Sequence, residues 1–223
     1  ASWTSGSDNV PMWFGLTGRN ASGKTTIVDW LVENGYTSTS CSDSIRAHLR
    51  QNGKEINRDN LIAGGRALRA EHGPGILAEM LRDANQGCAK LVIDSIRTPA
   101  EVEALRERPD FRLIEVRASR EVRWNRLQSR ARSGDPTDWE TFVAQEEAEL
   151  VAADDSGQAL DATAALADIV IINEDGSAET ALIAMKSTAL KKSRKWNSMM
   201  SSVQMQGKNG PFTPPRFSQV YHL

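Results

Sequence analysis

Apolar and polar positions fall into blocks along the chain. Residues 1–10 are small and mostly polar, and an apolar run at 12–16 then leads into Thr17-Gly18. A short apolar run closed by a turn signal predicts a buried strand. Residues 24–33 set Ile27, Trp30 and Leu31 at helical spacing and end at Asn34-Gly35, a pair suited to a helix C-terminus. The Thr- and Ser-rich stretch 36–40 predicts a second strand, with Ser42 or Asp43 capping a helix through residue 50. Asp59 is expected to cap a helix to about residue 71, which His72-Gly73-Pro74-Gly75 breaks before another at 76–84. Leu91-Val92-Ile93-Asp94 reads as a third strand ending in a carboxylate, and Thr98-Pro99 opens a helix with proline in its first turn. Strands at 111–116 and 168–172 follow, separated by an Arg-rich helix capped by Ser119 and an acidic helix opened by Asp138, with a last helix at 177–190. Short strands separated by helices predict a three-layer α/β/α domain around a five-stranded parallel sheet.

Beyond residue 190, Lys191, Lys192, Arg194, Lys195, Lys208 and Arg216 have no acidic counterpart, and Pro211, Pro214 and Pro215 break regular structure. The expected organisation is therefore an extension at 1–10, a domain at 11–190 and a basic, proline-containing arm at 191–223. A chain of 223 residues that is 39% apolar can bury one full core. Its net charge of −2 and pI near 6.0 exclude a general polyanion binder, which needs an excess of Lys and Arg. Cys41 and Cys88 lack a CxxC or His-rich neighbourhood, so a reduced compartment and no cysteine metal site are expected. With no apolar run near bilayer length, the expectation is a soluble intracellular protein of the cytoplasm or mitochondrial matrix, without a membrane partner.

The strongest chemical signal is Gly18-Arg19-Asn20-Ala21-Ser22-Gly23-Lys24-Thr25, lying between the first predicted strand and helix. This is the context a phosphate-binding P-loop requires. Gly18 and Gly23 let backbone amides approach phosphate oxygens where a Cβ would collide. Asn20, Ala21 and Ser22 complete the cradle, Lys24 brings a mobile cation to the β and γ phosphates, and Thr25, followed by Thr26, offers a hydroxyl to Mg²⁺ at a helix N-terminus. ATP or another nucleoside triphosphate with Mg²⁺ is the expected ligand.

A kinase also needs an acceptor-side acid, cations for the acceptor and a cover over the phosphates. Asp43 and Arg46 follow the second strand, where Asp43 can orient the attacking oxygen or accept its proton and Arg46 can hold an acceptor phosphate; Asp43 as a plain helix cap is the alternative. Asp94 ends the third strand, where a carboxylate meets Mg²⁺ or its water shell. Arg97 follows on the same edge, as an acceptor ligand or as one half of an ordinary salt bridge. Arg123, Arg126 and Arg130 share a helix face, and a triphosphate would relieve their mutual repulsion. Ser133-Gly134-Asp135-Pro136 would hinge a lid bearing them, while Glu146, Glu147 and Glu149 are competing partners for the same arginines.

With these residues in place the layout resembles that of the nucleoside monophosphate kinase-like P-loop proteins, in the branch similar to dephospho-CoA kinase. The likeness extends to small archaeal kinase-like proteins and to the kinase-like domain fused ahead of deoxycytidylate deaminases. It rests on residues 15–25, Ser42-Asp43-Ser44-Ile45-Arg46, Asn60-Leu61, Gly73-Pro74, Val92 to Arg97 with Glu101-Val102, residues 123–132 and residues 167–173. The resemblance implies the strand order 2-3-1-4-5, a helical lid with Arg126 and Arg130 as catalytic lid residues, and Asn173 near the adenine, although Asn173 also fits a turn before Asp175-Gly176. Dephospho-CoA and nucleoside monophosphates both stay open as acceptors. Ser193-Arg194-Lys195-Trp196 is similar to the lead-in to the fused deaminase, but no His-x-Glu with a later Pro-Cys-x-x-Cys follows, so zinc deamination is not expected.

Two functional classes follow. One is an ATP- and Mg²⁺-dependent phosphotransferase in which Lys24, Asp43, Arg126 and Arg130 act on a small phosphate-bearing acceptor. The other is a nucleotide-binding, catalytically weak or inactive subunit held by its terminal arms in a large assembly, such as a mitochondrial ribonucleoprotein or a multisubunit enzyme, with residues 191–223 contacting protein or RNA.

Overall fold

Strands whose two faces are both apolar must be covered on both sides, and that requirement sets the architecture. The computed structural model describes residues 12–131, 135–150, 159–174 and 219–222. Its elements are β1 Met12–Thr17, α1 Lys24–Glu33, β2 Thr37–Ser40, α2 Cys41–Gln51, α3 Arg58–His72, α4 Ile76–Ala84, β3 Lys90–Asp94, α5 Pro99–Arg106, β4 Phe111–Arg117, α6 Arg120–Arg130, α7 Trp139–Leu150, α8 Leu160–Ala164, β5 Ile169–Ile172 and β6 Gln219–His222. All strand pairs are parallel, in the order β2-β3-β1-β4-β5-β6. The order 2-3-1-4-5 is as expected for the first five strands. A sixth, drawn from the segment predicted to be an arm, extends the β5 edge with Val220 opposite Val170. The predicted helix at 177–190 and the extension at 1–10 lie outside the described residues, as do positions 191–218.

Alternation along the strands sends side chains to two cores. Trp13, Leu91, Ile93, Phe111, Leu113 and Val170 pack with Ile45 and Leu49 of α2, Leu77 and Leu81 of α4, and Val102 and Leu105 of α5. On the other face Phe14, Leu16, Val92, Ile114, Val116, Ile169 and Ile171 meet Ile27 and Leu31 of α1. Trp13 is fully buried and its indole N–H donates to the Cys88 carbonyl at 2.8 Å, which satisfies the one polar atom that such burial would otherwise strand.

Two helix starts differ from expectation. Strand β2 runs into α2 without a loop, so the N-cap falls on Ser40, the last strand residue, and Asp43 caps from the third helical position instead, its carboxylate accepting from the Ser40 amide to complete a capping box. Asn57 rather than Asp59 caps α3, its side-chain oxygen accepting from the Asn60 amide at 2.9 Å. Among the described residues no helix is long and apolar enough to cross a membrane. Because every strand runs the same way, the C-terminal ends of β1, β3, β4 and β5 open on one edge, where the P-loop residues, Asp94, Ser119 and Asn173 gather.

Candidate nucleotide and phosphoryl-transfer site

The loop between β1 and α1 has the backbone that phosphate binding demands. Gly18 and Gly23 adopt φ of 133° and 101°, and Ala21 joins them at 59°. Both glycines are also sterically required. A Cβ on Gly18 would lie 2.2 Å from the Val116 carbonyl oxygen, and one on Gly23 would lie 2.1 Å from Asn173 Nδ2. Lys24 folds back over the loop, its ammonium donating to the carbonyls of Gly18 at 2.7 Å and Arg19 at 2.9 Å. No side chain caps α1 and no acidic residue sits in its first turn, so nothing there competes with an anion for the helix N-terminus. Thr25 and Thr26 are exposed at that turn, and Asn20 is exposed at the loop's tip.

Asp94 closes β3 beside β1, and its Oδ1 is buried without a hydrogen-bond partner among the described residues. A desolvated carboxylate oxygen left unpaired is costly unless a ligand satisfies it. Together with the Thr25 hydroxyl it supplies hard oxygen donors of the kind Mg²⁺ takes, so the residues present fit the ion. The strand ends are clamped around it: Ile96 N–H donates to the Leu16 carbonyl at 3.0 Å, and the Thr17 hydroxyl donates to the Ile96 carbonyl at 2.8 Å. Ser95 between them takes φ 61°. Arg97 is half-buried on the same edge; its amide donates to Glu101 Oε2 at 2.9 Å and its carbonyl accepts from the Ala159 amide at 3.1 Å.

Asp43 is already well supplied with donors. Oδ2 accepts from the Ser40 amide at 2.8 Å, the Ser40 hydroxyl at 3.1 Å and the Thr39 hydroxyl at 3.3 Å, and Oδ1 accepts from Arg46 Nη1 at 2.9 Å. Burial pushes this carboxyl up, but the Ser40 and Arg46 hydrogen bonds outweigh it and hold the group below the ordinary carboxylate range. Asp43 is thus a weak base at neutral pH, better suited to orienting a hydroxyl than to keeping its proton.

The arginine face of α6 divides. Arg123 is buried and donates to Glu146 Oε2 at 3.1 Å and to the Ala118 carbonyl at 3.0 Å, so it is part of the fold rather than of an anion-binding face. Burial first, then the charges of Arg19 and Arg120, lower its pKa to about 10. Arg120 and Arg19 also approach Glu146, at 3.2 and 3.9 Å. Only Arg126 and Arg130 of the three predicted residues turn to the loop. Arg126 Nη1 reaches the carbonyls of Ala21 and Ser22, both at 3.3 Å, and Nη2 donates to the Asn173 carbonyl at 3.1 Å and its Oδ1 at 3.3 Å. Arg130 lies in a bidentate pair with Asp135, both bonds at 2.8 Å, and also donates to Asn20 Oδ1 at 3.1 Å. The expected hinge positions Ser133 and Gly134, and Arg132 before them, lie outside the described residues. Beside these two arginines is an open cavity of about 460 Å³ lined by Val122, Asn125, Arg126, Ser129 and Arg130, all on one face of α6.

Asn173 follows β5 and is 3% exposed. Its amide nitrogen donates to the Ser22 carbonyl at 3.1 Å, and its backbone N–H donates to the Arg117 carbonyl at 2.7 Å. Glu101 is a residue whose reach the motif reading missed. It completes a capping box with Thr98 and also pairs with Arg69 of α3 at 3.1 Å, coupling α3 to the segment that bears Arg97. The Thr-x-x-Glu spacing reveals the first role; the second joins residues 32 apart and leaves no local signal.

Among known proteins, residues 15–151 match the profile of a family described as an AAA domain, and residues 124–223 match one described as a Pam3 phage gp34-like protein. The chain is 34% identical over 166 residues to the UPF0200 protein PAE1629 of Pyrobaculum aerophilum, covering 74% of this chain and 88% of that one. It is 30% identical over 161 residues to a UPF0200 protein of Hyperthermus butylicus, covering 71% and 83%. It also superposes on the crystal structure of TT1252 from Thermus thermophilus with a TM-score of 0.53 at 23% identity, covering 80% of this chain and 97% of that one, a likeness of fold.

Proposed function

This chain belongs to the UPF0200 protein family and carries an AAA domain, and from the geometry of its site we propose a phosphotransferase that uses a nucleoside triphosphate and Mg²⁺ to phosphorylate a small phosphate-bearing acceptor. One observation carries the reading: glycines 18 and 23 sit where a Cβ cannot, with Lys24 folded onto the loop they shape. That combination confines both positions to glycine and brings the loop amides to one concave side, the form an anion-binding cradle takes.

Each residue has a task. Amides of the loop and the α1 N-terminus hold the β and γ phosphates, and Lys24 exchanges its two carbonyls for phosphate oxygens, a stronger, charge-assisted pairing. Thr25 and Asp94 would hold Mg²⁺, which supplies charge neutralisation across the transferring group. Asp43 orients the acceptor oxygen, and Arg46 and Arg97 bind the acceptor's own phosphate. Arg126 and Arg130 stabilise charge on the equatorial oxygens during in-line transfer. As the acceptor oxygen bonds to the γ phosphorus, the bridging bond to the β phosphate breaks and the nucleoside diphosphate leaves with those electrons. The acceptor's proton passes to solvent or to the phosphoryl oxygens, because Asp43 is too weak a base to retain it. Acceptors of the nucleoside monophosphate or dephospho-CoA class fit this chemistry.

A thermal unfolding midpoint with and without Mg-ATP tests the binding step: saturation at 100 times Kd should add about 2.7 kcal/mol. Lys24→Ala should abolish that gain. Nucleoside diphosphate release is then measured across nucleoside monophosphates and dephospho-CoA, and stimulation by one of them supports transfer. A second reading is a nucleotide-binding subunit held in a larger assembly through residues 191–223, a segment that the phage gp34-like profile also spans. Binding without stimulation by any acceptor, together with co-purification in a large particle, would favour it.

A further inference from the structure

Resting on the nucleotide-binding reading above, we infer that Asn173 is a positioning residue that aims the phosphate-loop amides and the Arg126 guanidinium, and that it acts on the polyphosphate rather than on the base. Its side chain is buried where β5 ends, and its own amide is fixed to the Arg117 carbonyl at 2.7 Å, so the sheet holds it. From there Nδ2 donates to the Ser22 carbonyl at 3.1 Å and Oδ1 accepts from Arg126 at 3.3 Å. Chemistry fixes this orientation: turned over, the amide would set oxygen against the carbonyl and NH₂ against the guanidinium.

The Ser22 carbonyl receives two donors, Asn173 Nδ2 at 3.1 Å and Arg126 Nη1 at 3.3 Å. In a planar trans peptide C=O and N–H point opposite ways, so anchoring that oxygen outward turns the Gly23 N–H inward, to the side where phosphate binds. The site is built tightly around this contact, since a Cβ on Gly23 would fall 2.1 Å from Asn173 Nδ2. Arg126 is tied to the same side chain, Nη2 donating to Asn173 Oδ1 at 3.3 Å and also to that residue's backbone carbonyl at 3.1 Å. One neutral side chain therefore orients two phosphate-binding devices, the loop and the lid arginine.

Direct titration with Mg-ATP, Mg-GTP and Mg-tripolyphosphate, which has no base, separates phosphate positioning from base contact. Asn173→Ala should weaken ATP and tripolyphosphate by a common factor, on the order of 10-fold or more for a lost hydrogen bond to a charged network, with the ATP/GTP ratio unchanged. A variant that loses ATP affinity but keeps tripolyphosphate affinity, or shifts the ATP/GTP ratio, would establish a base contact and overturn the proposal, as would unchanged affinity for all three. Asn173→Asp keeps the volume and the acceptor for Arg126 but loses the donor to Ser22, and should show the same parallel loss; wild-type affinities in that variant would sink the idea even if the alanine variant does not fold. Wild-type protein that binds neither ATP nor tripolyphosphate would instead remove the nucleotide reading itself, and this proposal with it.

Discussion

Arg123 donates to the Glu146 carboxylate at 3.1 Å where both side chains are almost wholly buried, tying α6 to α7 beneath the phosphate-loop edge. Arg120 and Arg19 flank the same carboxylate, so Glu146 holds together three guanidinium groups from two parts of the chain. Removing one partner of such a pair strands a desolvated charge, whereas replacing both with apolar groups does not. Glu146→Ala should lower unfolding free energy by about 3–5 kcal/mol in denaturant titration. The double change Arg123→Met with Glu146→Leu should recover most of it. Equal loss in both variants would mean that the pair's packing, rather than its charge, matters.

Asp43 gives a signed pH dependence. Its folded pKa lies below the ordinary 3.8, since the Ser40 and Arg46 hydrogen bonds prevail over burial. A depressed carboxylate stabilises fully above its unfolded value, and the contribution is lost as pH falls through the folded one. Stability measured from pH 5 downward should therefore drop below about pH 4 in the wild type and less steeply in Asp43→Asn. At neutral pH that variant should bind Mg-ATP normally, while acceptor-stimulated turnover falls on the order of 10- to 100-fold through lost orientation.

Gly23 and Gly35 share a left-handed backbone but differ in surroundings. At Gly23, φ is 101° and a Cβ meets Asn173; at Gly35, φ is 84° and nothing lies within 4 Å. Gly35→Ala should cost about 1–2 kcal/mol, the dihedral term alone. Gly23→Ala should cost more in chemical denaturation and should also eliminate the Mg-ATP stabilisation that Gly35→Ala keeps.

Much of this is written locally in the chain. Strands β1, β3 and β5 are nearly continuous apolar runs because helices cover both their faces, β4 keeps that character at Leu113, Ile114 and Val116 despite Arg112 and Glu115, and the Thr98-Pro99 start of α5 carries its own capping signal. Other features are set by distant partners. Helical spacing puts Arg123, Arg126 and Arg130 on a common face, but it is α7, with Glu146 23 residues from Arg123, that decides which of them is buried. The Asn173 contact with Ser22 spans 151 positions, so a turn residue and a loop-positioning residue look the same in sequence. Gln219–His222 is only four residues long and follows several prolines, too short a signal to mark a strand until it pairs with the β5 edge.

Asp94 separates folding from metal-linked binding most cleanly. Its Oδ1 is buried without a hydrogen-bond partner among the described residues, a cost to the ligand-free protein that a bound cation or its water would remove. Replacing it with asparagine deletes the charge while keeping the shape. Asp94→Asn should therefore leave ligand-free stability unchanged or raise it by about 1 kcal/mol, opposite in sign to most buried polar substitutions. The same variant should lose the part of ATP affinity that Mg²⁺ adds, so that titrations with and without Mg²⁺, the latter in excess chelator, converge. A destabilised variant whose ATP binding still responds to Mg²⁺ would show that Asp94 serves the fold and that the ion is held elsewhere.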